Sequence, residues 1–182
     1  MSTIALSLTF MEALDKLDKS TRKKVREFIE KFNEDPTRSG INIEKLKYCV
    51  DEKIRSVRID KTYRGILAVQ DDTYLFLWVD HHDEAYDWAA RKRCEVNPKT
   101  GAVQIFDVQT VTEEVAVSTD ASLFKEATNE QLLELGVPEE QLGFVHAFTN
   151  KEDFYSASDA MPQDAFEYLS WIVEGIPVDE VL

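Results

Sequence analysis

The 182-residue sequence is poor in cysteine and histidine, and it contains no long uninterrupted hydrophobic run. Its two cysteines, Cys49 and Cys94, stand far apart without a CxxC pair, which favours buried thiols in a reducing compartment over a disulfide framework or a metal site. No apolar stretch approaches the ~20 residues that a membrane-spanning helix needs. The first residues also lack the basic start of a secretory signal. We therefore expect a globular, cytoplasmic protein.

Basic residues are almost absent from the second half of the chain. Residues 1–100 contain 19 Lys/Arg and 18 Asp/Glu, a net charge of +1, whereas residues 101–182 contain 2 and 17, a net charge of −15. The whole net charge of −14 therefore comes from the second half. Because RNA and DNA are bound through Lys and Arg side chains that displace counterions, only the first half could bind a nucleic acid strongly.

The hydrophobic periodicity of residues 1–107 predicts a helical hairpin followed by a series of strands. Apolar residues from Phe10 to Leu17 recur at helical spacing, and a second, amphipathic helix begins after Asp18 or Ser20 and ends before Pro36. The period then changes to that of strands, one of which is apolar on both faces, as a central strand is. A short strand is predicted over residues 3–8, ahead of the helices. The later strands cover residues 46–49, 54–59, 63–69 and 74–79, followed by a partly helical stretch at 80–93 and a hairpin at 94–108.

The remainder of the chain predicts a second, smaller unit. Residues 108–127 have the composition of an extended linker, and residues 128–182 contain three short helical patterns. The first is capped by Thr128 or Asn129, and the other two begin at Pro138 and Pro162. The predicted fold class is therefore α+β, with a helical hairpin packed on a mostly antiparallel sheet, followed by a small acidic all-α unit.

A resemblance to a known family is carried by residues in the strand region. These are Leu46-Lys47, Ile54-Arg55-Ser56-Val57-Arg58-Ile59-Asp60, Tyr63-Arg64-Gly65-Ile66-Leu67 and Leu77-Trp78-Val79-Asp80-His81-His82-Asp83-Glu84-Ala85-Tyr86. Along the chain, arginines on two adjacent predicted strands are followed by an apolar strand, and this strand is followed by a histidine and a tyrosine, His81 and Tyr86. The first 107 residues thereby resemble the RelE/ParE toxin superfamily.

A narrower resemblance rests on residues 80–89 and on Arg91-Lys92-Arg93-Cys94-Glu95-Val96-Asn97-Pro98. These residues look like the toxin-like segment at the N-terminus of some bacterial superfamily I (UvrD-type) DNA helicases. In those proteins a segment similar to residues 128–182 lies between the toxin-like part and the motor. The motor's phosphate loop, GxxxxGK[ST], does not occur in this sequence, so the chain itself is not predicted to be an ATP-driven helicase.

The toxin resemblance implies a set of site residues. The RNA-cleaving toxins of this superfamily cut messenger RNA without a metal or another cofactor, whereas its ParE-like members lack the nuclease site and bind proteins. The resemblance implies that Arg58 and Arg64 hold the phosphate, that His81 is the general acid or base, and that Tyr86 orients or stacks the base. Arg55 and the run Arg91, Lys92 and Arg93 would add nucleic-acid contacts.

Several of these basic residues also have a structural interpretation. Arg55 and Arg58 could form surface ion pairs, and the run at 91–93 could be a solvated helix end. A metal site at His81-His82-Asp83-Glu84 is disfavoured, because neighbouring residues diverge on a strand or a helix.

Two functions follow from the resemblance and remain open at this point. The first is an accessory module that binds nucleic acid or a protein partner, such as a helicase motor or an antitoxin, with little or no cleavage. The second is a metal-independent mRNA endoribonuclease restrained by the acidic C-terminal half or by an antitoxin. Asp83 and Glu84 follow the histidines where RNA-cleaving members often have a basic residue, and carboxylates repel a phosphodiester. Together with the small basic excess, they favour the first function.

Overall fold

The structure, a computed structural model, describes residues 2–108 and 121–182. Within these ranges the chain forms two compact units, which divide between Lys92 and Arg93. The division thus precedes the domain boundary predicted after residue 107. Most of the predicted linker, at residues 109–120, lies outside the described residues.

The first unit is an α+β structure built on one five-stranded sheet. The strand order is β1-β5-β4-β3-β2, and all neighbours are antiparallel except β1, which runs parallel to β5. The predicted α+β class with a mostly antiparallel sheet is confirmed. The elements are β1 (Thr3–Leu6), α1 (Leu8–Asp15), α2 (Lys19–Glu34), β2 (Ile43–Lys45), β3 (Ile54–Arg58), β4 (Tyr63–Gln70), β5 (Thr73–His81) and α3 (His82–Ala90).

The helical hairpin α1–α2 packs on one face of this sheet, as predicted. The Asp18 carboxylate caps α2 by accepting the backbone N–H groups of Ser20 and Thr21 at 2.8 and 3.1 Å. The ring of Phe76, on β5, lies between Phe10 of α1 and Phe32 of α2, with centroid distances of 5.4 and 5.3 Å. The cluster is completed by the fully or nearly fully buried side chains of Leu14, Val25, Val57, Leu67 and Val79.

The other face of the sheet is covered by α3. Side chains alternate between the two faces of a strand, so Ser56 on β3 points away from the hairpin side of Val57. Ser56 contacts Tyr86 of α3 there. Trp78 of β5 stacks on Trp88 of α3 with ring centroids 5.0 Å apart. The half-buried tryptophans thus belong to the packing between sheet and helix.

The prediction of a strand at residues 46–49 is wrong. The short edge strand β2 ends at Lys45, before this segment begins. The chain after β2 instead contacts the end of α3. The Cys49 thiol donates to the carbonyl of Ala89 at 3.1 Å, and the Val50 N–H donates to that of Ala90 at 3.3 Å. These bonds hold the segment against a helix end and replace pairing with β3.

The second unit combines a two-stranded hairpin with short helices. Its core is a cluster that includes Phe124, Leu132, Phe154 and Leu169, so the end of the predicted linker is packed. The helices predicted after Thr128 and Pro162 are confirmed, whereas the one after Pro138 begins as a 3₁₀ turn. The elements are β6 (Lys92–Val96), β7 (Val103–Asp107), α4 (Asn129–Glu134), α5 (Leu142–His146), α6 (Lys151–Ser156), α7 (Gln163–Val173) and α8 (Val178–Val181), with 3₁₀ turns at Glu139–Gln141 and Ser158–Ala160.

The hairpin β6–β7, which the sequence assigned to the first domain, is held by the helices of the second unit. Asn97, in its turn, donates to the carbonyls of Leu133 and Val137 at 2.9 and 3.3 Å. Gln104, on β7, donates to the carbonyl of Gly136. These bonds explain why the division lies before the hairpin. No helix in the two described ranges is long and apolar enough to cross a membrane.

Candidate functional site

Three charged residues form a row across β3, β4 and β5. Arg58 is the cross-strand partner of Arg64, and Arg64 is that of Asp80. Directly opposed residues share a face, and Arg58 shares that face with Ser56, so the row lies on the α3 side of the sheet. Arg58 is exposed, and its guanidinium makes no ion pair with any residue that the structure describes. The structure therefore makes Arg58 and Arg64 cross-strand neighbours on one face of the sheet.

Arg64 is only 7% exposed, and its guanidinium is engaged by the backbone. Its Nη1 donates to the carbonyls of Asp60 and Tyr63 at 2.9 and 3.0 Å, which closes the turn between β3 and β4. The Asp60 carboxylate accepts the N–H groups of Thr62 and Tyr63, each at 2.8 Å, and an N–H of the Lys24 ammonium at 3.1 Å. Partial burial raises the pKa of Asp60, but these hydrogen bonds outweigh it, and the pKa lies below its usual value. Arg64 is thus part of a hydrogen-bonded turn.

His81 lies on the opposite side of the sheet from the two arginines. It is the cross-strand partner of Tyr63, which neighbours Arg64 along the strand and therefore points to the other face. The imidazole lies against the Tyr63 ring, with centroids 4.4 Å apart. Its Nδ1 is 3.3 Å from Oδ1 of Asp80, which also accepts the His81 backbone N–H at 2.8 Å. The pleat of the sheet thus separates His81 from the arginine row.

His82, which was not among the predicted site residues, lies next to Tyr86. The two rings have centroids 4.2 Å apart, and His82 Nδ1 is 2.8 Å from Oδ1 of Asp83. Tyr86 is half-buried, and its hydroxyl is 3.2 Å from the hydroxyl of Ser56. His82, Tyr86 and Ser56 therefore form a chain of contacts on the arginine side of the sheet. The signal for His82 is its spacing, because residues four apart on a helix share a face.

The other predicted binding residues in the first unit do not converge on this row. Arg55 is half-buried on the hairpin side, where its Nη1 donates to the carbonyl of Ile54 at 3.1 Å. Arg91 is exposed at the end of α3. The ammonium of Lys92 lies 5.0 Å from the centroid of the Trp88 ring, a cation–π contact.

Arg93 belongs to the second unit and is neutralised there. Its Nη1 donates to the Glu140 carboxylate, and its Nε lies 3.8 Å from Oε1 of Glu95. The predicted basic run at residues 91–93 is therefore divided between an exposed side chain at Arg91, a cation–π contact at Lys92 and an ion pair at Arg93.

The first half of α2 is a basic surface that the sequence analysis did not single out. Five of its first eight residues are Lys or Arg, and Lys19, Lys23 and Arg26 are exposed. Lys24 pairs with Asp60, and Lys23 lies 3.8 Å from Glu27. The density of basic residues along one helix was the available signal.

A cavity of about 330 Å³ lies beside Tyr86, between α3 and the segment that follows β2. Glu44, Lys45, Tyr48, Cys49 and Asp87 contribute to its walls. Burial raises the pKa of the Cys49 thiol, which disfavours its thiolate form.

The two histidines do not form a metal site together. Their rings pack against different tyrosines, His81 against Tyr63 and His82 against Tyr86. Among the residues that the structure describes, no three His, Cys, Asp or Glu side chains are arranged to hold a metal ion.

No family model matches the chain, and no curated protein matches it. Solved toxin structures are similar to part of it. A chain of the RelB–RelE antitoxin–toxin complex from Methanococcus jannaschii is 24% identical, with 46% of this chain and 96% of that chain covered and a TM-score of 0.39. YoeB from Staphylococcus aureus is 25% identical, with 44% of this chain and 97% of that chain covered and a TM-score of 0.36. YafQ from Escherichia coli is 12% identical, with 46% of this chain and 97% of that chain covered and a TM-score of 0.39. Nearly all of each toxin chain is covered, but less than half of this one.

Proposed function

We propose that the first unit is an accessory binding module with a toxin-type fold, which binds a nucleic-acid backbone or a protein partner and cleaves RNA weakly or not at all. The position of Arg64 carries this proposal. Its Nη1 donates to two backbone carbonyls, and the side chain is 93% buried. An arginine held in this way stabilises a turn and is poorly placed to follow a phosphate through a transition state.

The histidine assigned by resemblance also argues for binding without cleavage. General acid–base catalysis requires the acid or base within hydrogen-bond reach of the reacting oxygen. His81 lies across the sheet from Arg58 and Arg64, against Tyr63. The carboxylates of Asp80 and Asp83 lie beside the two histidines and repel a phosphodiester.

Binding to a nucleic-acid backbone is supported by exposed cations in the first unit. These are Arg58 at the end of β3, Arg91 after α3, and Lys19, Lys23 and Arg26 on α2. Residues 1–92 contain 17 Lys/Arg and 17 Asp/Glu, so the unit as a whole has no net charge. Attraction would therefore be local, and we expect it to be weak and sensitive to salt.

The resemblance of residues 80–98 to a helicase-associated segment supports a role beside a larger enzyme. In this proposal the protein partner is a helicase motor, and the acidic second unit occupies the place between module and motor. An antitoxin is the other protein partner that the toxin resemblance suggests.

A metal-independent mRNA endoribonuclease is the second candidate function. One observation favours it: His82, Tyr86, Ser56 and the exposed Arg58 lie on the same side of the sheet. In such an enzyme His82, rather than His81, would exchange the proton, and Arg58 would contact the phosphate. The acidic second unit or an antitoxin would restrain the activity.

The two functions are distinguished by cleavage of messenger RNA in the presence of EDTA, with and without ribosomes. The parent is compared with Arg58→Ala, His81→Ala and His82→Ala. We expect all four proteins to give the background level of products. Cleavage by the parent that is lost in His82→Ala and retained in His81→Ala would replace the binding proposal with the second candidate.

Binding is tested separately by the fluorescence anisotropy of a labelled RNA oligomer at low salt. We expect Arg58→Ala and Lys23→Ala to weaken binding and to reduce its salt dependence. Lys125→Ala, at an exposed lysine of the second unit, is the matched control and should bind as the parent does. Equal binding by all variants would remove the support for a nucleic-acid ligand in the first unit.

A further inference from the structure

The outward side of α7, in the second unit, exposes two neighbouring aromatic rings. Tyr168 and Trp171 are 37% and 41% exposed, and their ring centroids are 5.5 Å apart. The buried residues Ala165, Leu169 and Val173 recur every four positions on the inward side. The aromatic pair therefore contributes little to the core and lies open to solvent.

Acidic residues lie one helical turn away from this aromatic pair along α7. Asp164 and Glu167 are exposed one turn before the two rings, and Glu174 follows Trp171 at the end of the helix. Glu174 accepts hydrogen bonds from the Tyr155 hydroxyl at 2.7 Å and the Lys151 ammonium at 3.5 Å. Asp164 and Glu167 form no ion pair within residues 2–108 and 121–182. Two carboxylates thus remain available next to two aromatic faces.

The charge of the second unit limits what this surface can bind. Residues 93–182 contain 4 Lys/Arg and 18 Asp/Glu, a net charge of −14, so the entire net charge of the protein lies in this unit. A nucleic acid would be repelled. A symmetric contact between two copies would place the same acidic face on both sides. A cationic partner is the complementary one.

We propose that the α7 face formed by Asp164, Glu167, Tyr168 and Trp171 is a docking site for a Lys/Arg-rich segment of a protein partner. A guanidinium or ammonium group lies over the Trp171 ring in this arrangement, since Trp is the aromatic residue that binds cations most strongly. Asp164 and Glu167 pair with neighbouring cations of the segment, and Tyr168 packs against its aliphatic portions. This site lies within the second unit and does not depend on the function proposed for the first.

A labelled nine-residue peptide of alternating Arg and Leu serves as the probe, with a peptide of alternating Glu and Leu as its counterpart. Binding is followed by anisotropy for the full-length parent, Trp171→Ala, Trp171→Phe and Glu167→Gln. Tyr48→Ala is the matched control, because Tyr48 is an exposed aromatic residue of the first unit. Thermal unfolding of each variant verifies that the fold is retained.

We expect the parent to bind the Arg peptide and not the Glu peptide, and Trp171→Ala to bind it roughly tenfold more weakly. Trp171→Phe should retain part of the affinity, Glu167→Gln should weaken binding at low salt, and Tyr48→Ala should equal the parent. Affinity of Trp171→Ala within about twofold of the parent would reduce the interaction to general charge attraction and overturn the proposal. So would sedimentation showing that the parent forms a dimer that Trp171→Ala abolishes, because a second copy would then cover the face.

Discussion

The hydroxyl groups of Ser56 and Tyr86 lie 3.2 Å apart and connect β3 to α3. Ser56 is 1% exposed, so this contact lies inside the packing between sheet and helix. The Tyr86 ring in turn packs against His82, with centroids 4.2 Å apart. The Ser56–Tyr86 contact therefore positions the ring against which His82 packs on the arginine side of the sheet.

Tyr86→Phe is expected to destabilise the first unit by about 0.5–1.5 kcal/mol, because it leaves the buried Ser56 hydroxyl without its side-chain partner. Urea unfolding measures the change. In the double variant Ser56→Ala/Tyr86→Phe both polar groups are absent, and we expect part of the lost stability to return. If the double variant instead loses as much stability as the two single variants together, the hydroxyl groups do not interact.

The positions of the strands around this site could be predicted from the sequence, whereas the arrangement of the site's side chains could not. Periodicity located β3, β4 and β5 to within one or two residues, because their apolar side chains must face a core. It did not distinguish His81 from His82, since the end of β5 and the start of α3 depend on which backbone groups pair. In the structure β5 ends at His81 and α3 begins at His82, so the change from strand to helix occurs between the two histidines.

Arg64→Ala is expected to be much more destabilising than Arg58→Ala. Arg64 is buried and donates to the carbonyls of Asp60 and Tyr63, so its removal leaves acceptors unpaired and a cavity, at a cost of about 2–4 kcal/mol. Arg58 is exposed, and we expect a change within about 0.5 kcal/mol. Denaturant midpoints of the two variants provide the comparison. Equal midpoints would contradict the structural role assigned to Arg64.

Asp60 should make the stability of the β3–β4 turn dependent on pH. Its pKa is lower in the folded protein than its ordinary value, so its contribution is fully present above the unfolded pKa of about 3.9 and is lost as pH falls through the folded pKa. Asp60→Asn should therefore be less stable than the parent at pH 7, and the difference should shrink towards pH 2. Thermal melts across this range test the sign. Asp71→Asn, at an exposed carboxylate in the turn between β4 and β5, is the control.

The division between the two units could not be read from composition. The hairpin at residues 92–107 follows the strands of the first unit in sequence and shares their alternating pattern, so periodicity assigns it to the sheet. Its attachment depends on long-range hydrogen bonds from Asn97 and Gln104 to carbonyls at the end of α4 and just after it. A polar residue in a turn carries no sequence signal for such distant partners, because turns favour Asn for local reasons as well.

Asn97→Ala should destabilise the second unit by about 2–4 kcal/mol and leave the first unit unchanged. The Asn97 side chain is 1% exposed and satisfies four backbone groups. It donates to the carbonyls of Leu133 and Val137, and its Oδ1 accepts the N–H groups of Lys99 and Thr100 at 2.9 and 3.0 Å.

Hydrogen exchange measured by mass spectrometry resolves the effect of Asn97→Ala along the chain. We expect faster exchange in β6, β7 and α4 and parental rates in β3, β4 and β5, whereas Lys99→Ala, in the exposed part of the same turn, should exchange as the parent does. If hydrogen exchange instead became equally faster in both units, the two units would unfold as one cooperative body. Asn97 would then not be the residue that holds the hairpin to the second unit specifically.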